Sequence, residues 1–313
     1  SFNFNGEYAY KINDPSTMNK QIYRHGEGLF LTSSYSGSVA GITVAVKRID
    51  NMDFRSDRNA TLNDALINYM PPITPYHTYR LATLYPYATQ PVGEMGYQGD
   101  FFYNFKKGSA LGGKYGTNLQ INYSQVNSIQ KTMRPANDVL GYDSEYLSFG
   151  KDVYYRNVSA ELNKKINNTF KGTLAYIYVE LDNKVLRLSE YDGVIRSHIA
   201  IADLSYRLNK KHTLRTELQH LYTAQDRGSW ALAMLEYTIG HHYYLAVFDE
   251  YNYRNPDTEM RLHYPNFSCG YMTGTTRVTL GLGRIRQGVF CVGGVCRLVP
   301  AQNGISASIT SSF

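Results

Sequence analysis

In Met95-Gly96-Tyr97-Gln98-Gly99-Asp100-Phe101-Phe102-Tyr103-Asn104-Phe105-Lys106, Met95, Tyr97, Phe101, Tyr103 and Phe105 fall on one face together with Gly99. Gln98, Asp100, Asn104 and Lys106 fall on the other. A two-residue period belongs to a β-strand whose two faces meet different surroundings. The same alternation recurs along the chain. Leu119, Ile121 and Tyr123 oppose Asn118, Gln120, Asn122 and Ser124; Val158, Ala160 and Leu162 oppose Asn157, Ser159 and Glu161. Ala202, Leu204 and Tyr206 oppose Asp203, Ser205 and Arg207, and Val278, Leu280 and Leu282 oppose Arg277 and Thr279. No stretch sustains a helical period, so the chain is expected to be all-β.

The expected strands are long, about 10–14 residues where globular strands average about 5–6. Fourteen are expected, from 2–12 through 116–127 and 151–164 to a last pair at 275–291 and 296–313. Short turns, such as Lys107 to Gly113, Lys164 to Asn168, Asn209-Lys210 and Gly240-His241, alternate with longer segments at 13–25, 49–92, 128–150, 183–192 and 253–262. An even strand number with all the short turns on one side is the pattern of a transmembrane antiparallel β-barrel. A sandwich core would favour Val, Ile and Leu. Here the apolar face is rich in Tyr and Phe at the strand ends, and it carries small residues, Ala200, Ala202, Ala231 and Ala233, at other places. The expectation is therefore one barrel domain over 1–313 of about 14 strands or more, with 49–92 and 128–150 as outside loops and the termini in the periplasm.

Composition agrees. The chain has 313 residues, Lys+Arg 32 against Asp+Glu 26, a net charge of +6 and only 19% charged residues, where soluble proteins carry about 25%. There are 29 tyrosines. Mean hydropathy is −0.39, and no run of about 18 apolar residues is present to form a membrane helix. Basic residues come in scattered pairs, Lys164-Lys165 and Lys210-Lys211, rather than in a patch, so nucleic acid is not an expected partner. The chain starts at Ser1-Phe2 without Met or a leader pattern, as in a mature protein or a fragment.

At the other end Ile305, Ala307, Ile309, Ser311 and Phe313 share a face and finish on an aromatic residue. This resembles the C-terminal signal by which outer-membrane barrels engage their assembly machinery, and the resemblance would make this the natural C-terminus. At Lys47-Arg48-Ile49-Asp50-Asn51-Met52, Tyr85-Pro86-Tyr87-Ala88-Thr89-Gln90-Pro91 and Cys291-Val292-Gly293-Gly294-Val295-Cys296-Arg297 the chain resembles an uncharacterised outer-membrane β-barrel family of Bacteroidota. The resemblance runs the whole length. It implies location without activity, and members extending beyond Ser1 imply further strands in a larger barrel.

Few residues suggest chemistry. Gly293-Gly294 is a favoured two-residue hairpin centre and would set Cys291 opposite Cys296, within disulfide reach at an extracellular tip; the alternative is two unpaired thiols. Cys269 reads as a packed strand thiol. The histidines, including His241-His242, form no metal-ligand pattern, and no nucleophile elbow or phosphate loop is present. Gly108, Gly112, Gly113 and Gly116 read as turn glycines. No catalytic residue, metal or cofactor is expected. The candidate lumen charges are Asp100, Lys106, Glu161, Asp203, Arg207, Arg215, Glu217, Glu236 and Arg277. They could tune ion selectivity or brace the wall, and opposite signs on neighbouring strands favour bracing. A three-residue turn at 208–210 would set Asp203 directly opposite Arg215. The expected function is a channel for small polar solutes. The alternative is a non-enzymatic scaffold subunit binding outer-membrane or periplasmic proteins through 49–92 and 128–150.

Overall fold

The computed structural model describes residues 1–61, 64–292 and 295–311. The expected assembly residue Phe313 and the turn glycines Gly293-Gly294 lie outside the described residues. Sixteen strands follow in order: β1 (Phe2–Lys11), β2 (Gly26–Ser36), β3 (Ala40–Asp50), β4 (Gly93–Phe105), β5 (Thr117–Met133), β6 (Tyr142–Lys165), β7 (Phe170–Asp182), β8 (Val194–Arg207), β9 (His212–Tyr222), β10 (Trp230–Ile239), β11 (Tyr243–Tyr251), β12 (Asn266–Thr273), β13 (Thr276–Ile285), β14 (Gly288–Val292), β15 (Val295–Val299) and β16 (Gln302–Ser311). β1 to β13 pair in sequence order and β16 joins β13, a fourteen-stranded antiparallel wall with β1 and β16 at its edges. Apart from the register shifts in the upper part of β5–β6, each ladder keeps the parity that the alternation demands, because a one-residue slip would turn every apolar side chain to the wrong face.

The outward face forms a continuous apolar band. On β7 and β8 it begins at the facing rings of Phe170 and Tyr206 and spans nine residues, to the point where Tyr178 faces His198. That is the length a tilted strand needs to cross the hydrocarbon layer. Between these rings lie Leu174, Tyr176, Ala200 and Ala202, and Leu218 and Ala233 continue the row on β9 and β10. Leu174 is 54% and Leu282 56% exposed. A water-facing wall would not leave such a band bare, whereas lipid covers it without cost. Charge returns just past the upper rings, where Arg196 Nε meets Glu180 at 2.8 Å. The structure is the wall of a transmembrane antiparallel β-barrel. Leu174→Arg, near the middle of the band, is expected to cost about 2–4 kcal/mol of folding free energy in bilayers. Ser205→Arg, on the inner face, is expected to cost far less. Denaturant titration in vesicles measures both.

Ile305, Ala307 and Ile309 belong to this outward face, opposite Leu282, Leu280 and Val278.

Three features differ from the sequence expectations. The stretch 128–150 is largely strand rather than loop: β5 runs to Met133 and β6 starts at Tyr142, with register shifts between Val126 and Lys131. Its tip is tied down, since Tyr142 Oη donates to Asp50 at 2.6 Å and Arg24 Nη2 reaches the same carboxylate at 3.1 Å. The last two expected strands do not run straight. Ile285 faces Gln302 and Gly288 faces Val299, so the pairing register continues, but the ladder breaks at Arg286-Gln287 and Pro300-Ala301. Pro300 has no N–H to donate, and the β14–β15 half bends into the interior. Finally, the β8–β9 turn closes one residue later than expected. Leu208 N bonds His212 O at 2.9 Å, and the Asn209 side chain accepts from Lys211 N and His212 N. Asp203 therefore faces Glu217, and Arg215 faces Ser205. A two-residue shift keeps the faces, so Arg215 still reaches Asp203 on the diagonal.

Candidate functional site: an occluded lumen

The segment between β3 and β4 holds five of the chain's ten prolines, at 71, 72, 75, 86 and 91. None of the five is itself buried; each interrupts any strand ladder, so the segment stays irregular and meets the wall through its side chains, inside the barrel. The expectation of a free outside loop at 49–92 fails on this point. Part of it, including Tyr69 and Tyr76, stays exposed, but Ile73, Leu81, Ala82, Tyr85 and Tyr87 are buried inside.

This plug crosses the inner face from β3 to β11. At its root, Lys47 Nζ pairs with Glu94 at 2.6 Å and donates to Pro71 O and Thr89 Oγ1, both at 2.8 Å. Glu94 also accepts from Tyr87 Oη and from Gln90 N. Ile73 sits on Gly96, where a Cβ would come within 2.8 Å of its Cγ2; the glycine makes room for the plug. Further in, Asn157 Nδ2 of β6 lies 3.1 Å from His77 Nε2. Leu81 N donates to Gln219 of β9 at 2.8 Å. Arg80 Nε donates to Glu250 of β11 at 2.6 Å, while Nη1 and Nη2 donate to Val289 O and Arg286 O. Arg286 returns two bonds to the other oxygen of Glu250, at 3.0 and 2.8 Å. A carboxylate with no exposed side-chain surface is thus clamped by two guanidinium groups.

Between these polar anchors the inner face around the plug carries many apolar side chains, which a wet lumen does not require. Ile177, Val179, Leu181, Ile195, Ile199, Leu221, Trp230, Leu232 and Phe248 form one cluster with Leu81, Ala82, Tyr85 and Tyr87. The inward-bent hairpin adds Phe290 and Val292, with Phe290 and Phe248 rings 5.1 Å apart. Each large side chain buried this way contributes about 1.5–3 kcal/mol. The cysteines of this hairpin do pair: Cys291 faces Cys296 and the sulfurs are bonded. The link is not at a free extracellular tip, because its strands lie against the plug, with Cys291 Sγ 3.3 Å from Thr78 O.

The other half of the lumen, toward the short turns, is polar, and most of the expected charges lie there. Asp100 accepts from Asn122 Nδ2 at 2.6 Å and from Gln98, and Glu161 accepts from Asn163. Arg215 makes two 2.9 Å bonds to Asp203 and bonds Glu217, with Glu236 directly opposite it on β10. Arg277 donates to Tyr244 Oη and Val292 O. Lys106 lies just past the end of β4 and Arg207 ends β8; both are exposed at the mouth rather than placed in the lumen network. A cleft of about 330 Å³ opens beside Asn163, Lys171, Thr173, Ser205 and Arg215. Bracing describes the inner charges best, since each has a partner across or along the wall. No cluster of three metal-ligating side chains occurs among the described residues.

An up-and-down membrane barrel with a filled upper lumen is the class these features define. The chain belongs to the family of unknown function DUF6029, whose match covers residues 1–313. Among solved structures it is similar to the TodX deltaS2S3 mutant monoaromatic hydrocarbon channel, with 10% identity, a TM-score of 0.30, and coverage of 98% of this chain and 87% of that one. No curated protein matches it.

Proposed function

We propose that the chain is an outer-membrane channel for small polar solutes, shut in this conformation by its own plug. The observation that carries this reading is the divided lumen. A polar half, open at the short-turn end, stops at a segment held by side-chain ion pairs rather than by strand ladders, and side-chain contacts can be released without unfolding the wall. The reading places the termini in the periplasm of a Bacteroidota envelope, has the barrel assembly machinery insert the chain, and includes no catalytic step. Its test is deletion of residues 73–90 with a Gly-Ser bridge. Proteoliposomes with the deletion should swell in small sugars while the intact protein stays tight. A folded deletion variant that stays impermeable would refute the channel.

The filled lumen also favours a second reading, a closed scaffold subunit. It would bind envelope proteins through the exposed parts of 49–92 and 128–150, and it predicts stable co-purifying subunits and no current in either protein.

The channel reading has a pH dependence with a definite sign. Burial pushes the His77 imidazole down to about 4, so the ring is neutral while the plug is seated. Released to water, it would recover an ordinary value near 6.5. Between pH 6.5 and 4 only the released state gains the proton, so acidification favours opening, by up to about ten-fold per pH unit. Bilayer currents should rise over that range, and His77→Gln should flatten the rise.

A further inference from the structure

Cations that are scattered in sequence meet at one end of the barrel. The turn regions 105–117, 163–171 and 206–212 contain Lys106, Lys107, Lys114, Lys164, Lys165, Lys171, Arg207, Lys210 and Lys211. They contain no Asp or Glu. The meander puts all three turns on the same side, and direct contacts stitch them into one arc. Lys164 Nζ donates to Leu111 O at 3.2 Å, and Lys165 Nζ lies 4.6 Å from the centre of the Tyr115 ring. Arg207 N bonds Thr169 O at 2.6 Å, and Gly240 N bonds Lys211 O at 2.5 Å, joining the next turn. Eight of the nine side chains are exposed and Lys164 is partly buried. None of the nine forms an ion pair with a carboxylate among the described residues. The acids of the connecting segments, including Asp57, Asp138, Asp192 and Asp257, lie at the opposite end.

We infer that this arc is a binding surface for the phosphate headgroups of anionic phospholipids in the leaflet at the short-turn end. The inference rests on the transmembrane reading of the wall. The position of the cations selects lipid over a soluble acidic protein. The cations sit at the rim just beyond the outward rings Phe105, Phe170 and Tyr206: Lys164 continues the outward row after Leu162, while Lys106, Lys171 and Arg207 stand on the inner parity, with Lys171 beside the polar cleft. At about 3.3 Å per residue, the turns at 166–169 and 208–211 end within the headgroup layer, which adds about 5–8 Å on each side of the hydrocarbon. Long lysine stems at an exposed rim can turn outward so that their ammonium groups reach phosphate. Several such cations together attract an anionic surface strongly. The arc also gives the barrel a polarity along its axis that its apolar band, symmetric about the midplane, cannot give.

The test uses the full chain in neutral detergent, titrated with short-chain phosphatidylglycerol or phosphatidylcholine and read by native mass spectrometry. Phosphatidylglycerol should bind in several copies, at least ten-fold more tightly than phosphatidylcholine. Replacing Lys106, Lys107, Lys164, Lys165, Lys210 and Lys211 with Gln should abolish the preference. That variant must still insert into phosphatidylcholine vesicles with the wild-type heat-modifiable gel mobility. If the wild type itself fails to insert, the membrane reading falls. If both proteins insert and bind the two lipids equally, only the headgroup surface is refuted. Displacement of phosphatidylglycerol by an equal concentration of inorganic phosphate would show a free-anion site and overturn the lipid assignment. Tight binding of polyglutamate without lipid preference would overturn it in favour of an acidic protein partner.

Discussion

Arg80→Ala is expected to turn a silent barrel into a conducting one. Its guanidinium closes the clamp on Glu250, and the paired side chains are 5% and 0% exposed. Removing one partner of a buried pair leaves an uncompensated charge and costs about 3–5 kcal/mol. Arg286 remains on the carboxylate, so about 2–3 kcal/mol is the fair expectation at this site. The loss falls on the plugged state alone, because a released plug exposes both groups to water. At 1.4 kcal/mol per decade, the open fraction should rise about thirty- to a hundred-fold, visible as new openings in planar bilayers. Arg80→Lys should recover part of the closure, since it keeps the charge but loses the two carbonyl contacts of the guanidinium. Arg134→Ala, in an exposed pair at the hairpin tip, should change nothing. A folded Arg80→Ala protein as silent as the wild type would show that this clamp does not hold a gate.

Lys47→Met should have the second large effect, on stability. Lys47 is buried between the wall and the plug root, and its loss strands Glu94, which has no exposed side-chain surface. The expected cost is about 3–5 kcal/mol, seen as a fall in the urea midpoint of the heat-modifiable gel form. Adding Glu94→Gln should recover more than half of it. The amide removes the stranded charge and can still accept from Tyr87 Oη and Gln90 N. No recovery in the double variant would mean that the lysine acts through packing alone.

These two lysine and arginine sites show where sequence reading stops. Lys47 stands in a conspicuous run, Lys47 to Met52, yet nothing nearby names Glu94 as its partner or shows that Asp50 and Asn51 are buried. Arg80 and Glu250 are 170 residues apart. The five clustered prolines mark 71–91 as irregular, but no local pattern shows that Ile73, Leu81, Tyr85 and Tyr87 are buried in it.

Strand faces, by contrast, were written locally. A period of two needs only neighbouring residues, and the pleat turns it directly into an inner and an outer face. So the outward row from Leu174 to Ala233, the inward placing of Asp100, Asp203 and Arg215, and the Cys291–Cys296 pairing followed from the sequence alone. Contacts between remote segments carry no such period. That the plug fills the lumen, that the disulfide hairpin bends at Pro300 to lie on it, and that Lys106, Lys164 and Lys210 share one rim were decided only by the tertiary structure. There the curved wall brings its inner faces close enough to be bridged by one irregular segment, and the meander sends alternate turns to the same end.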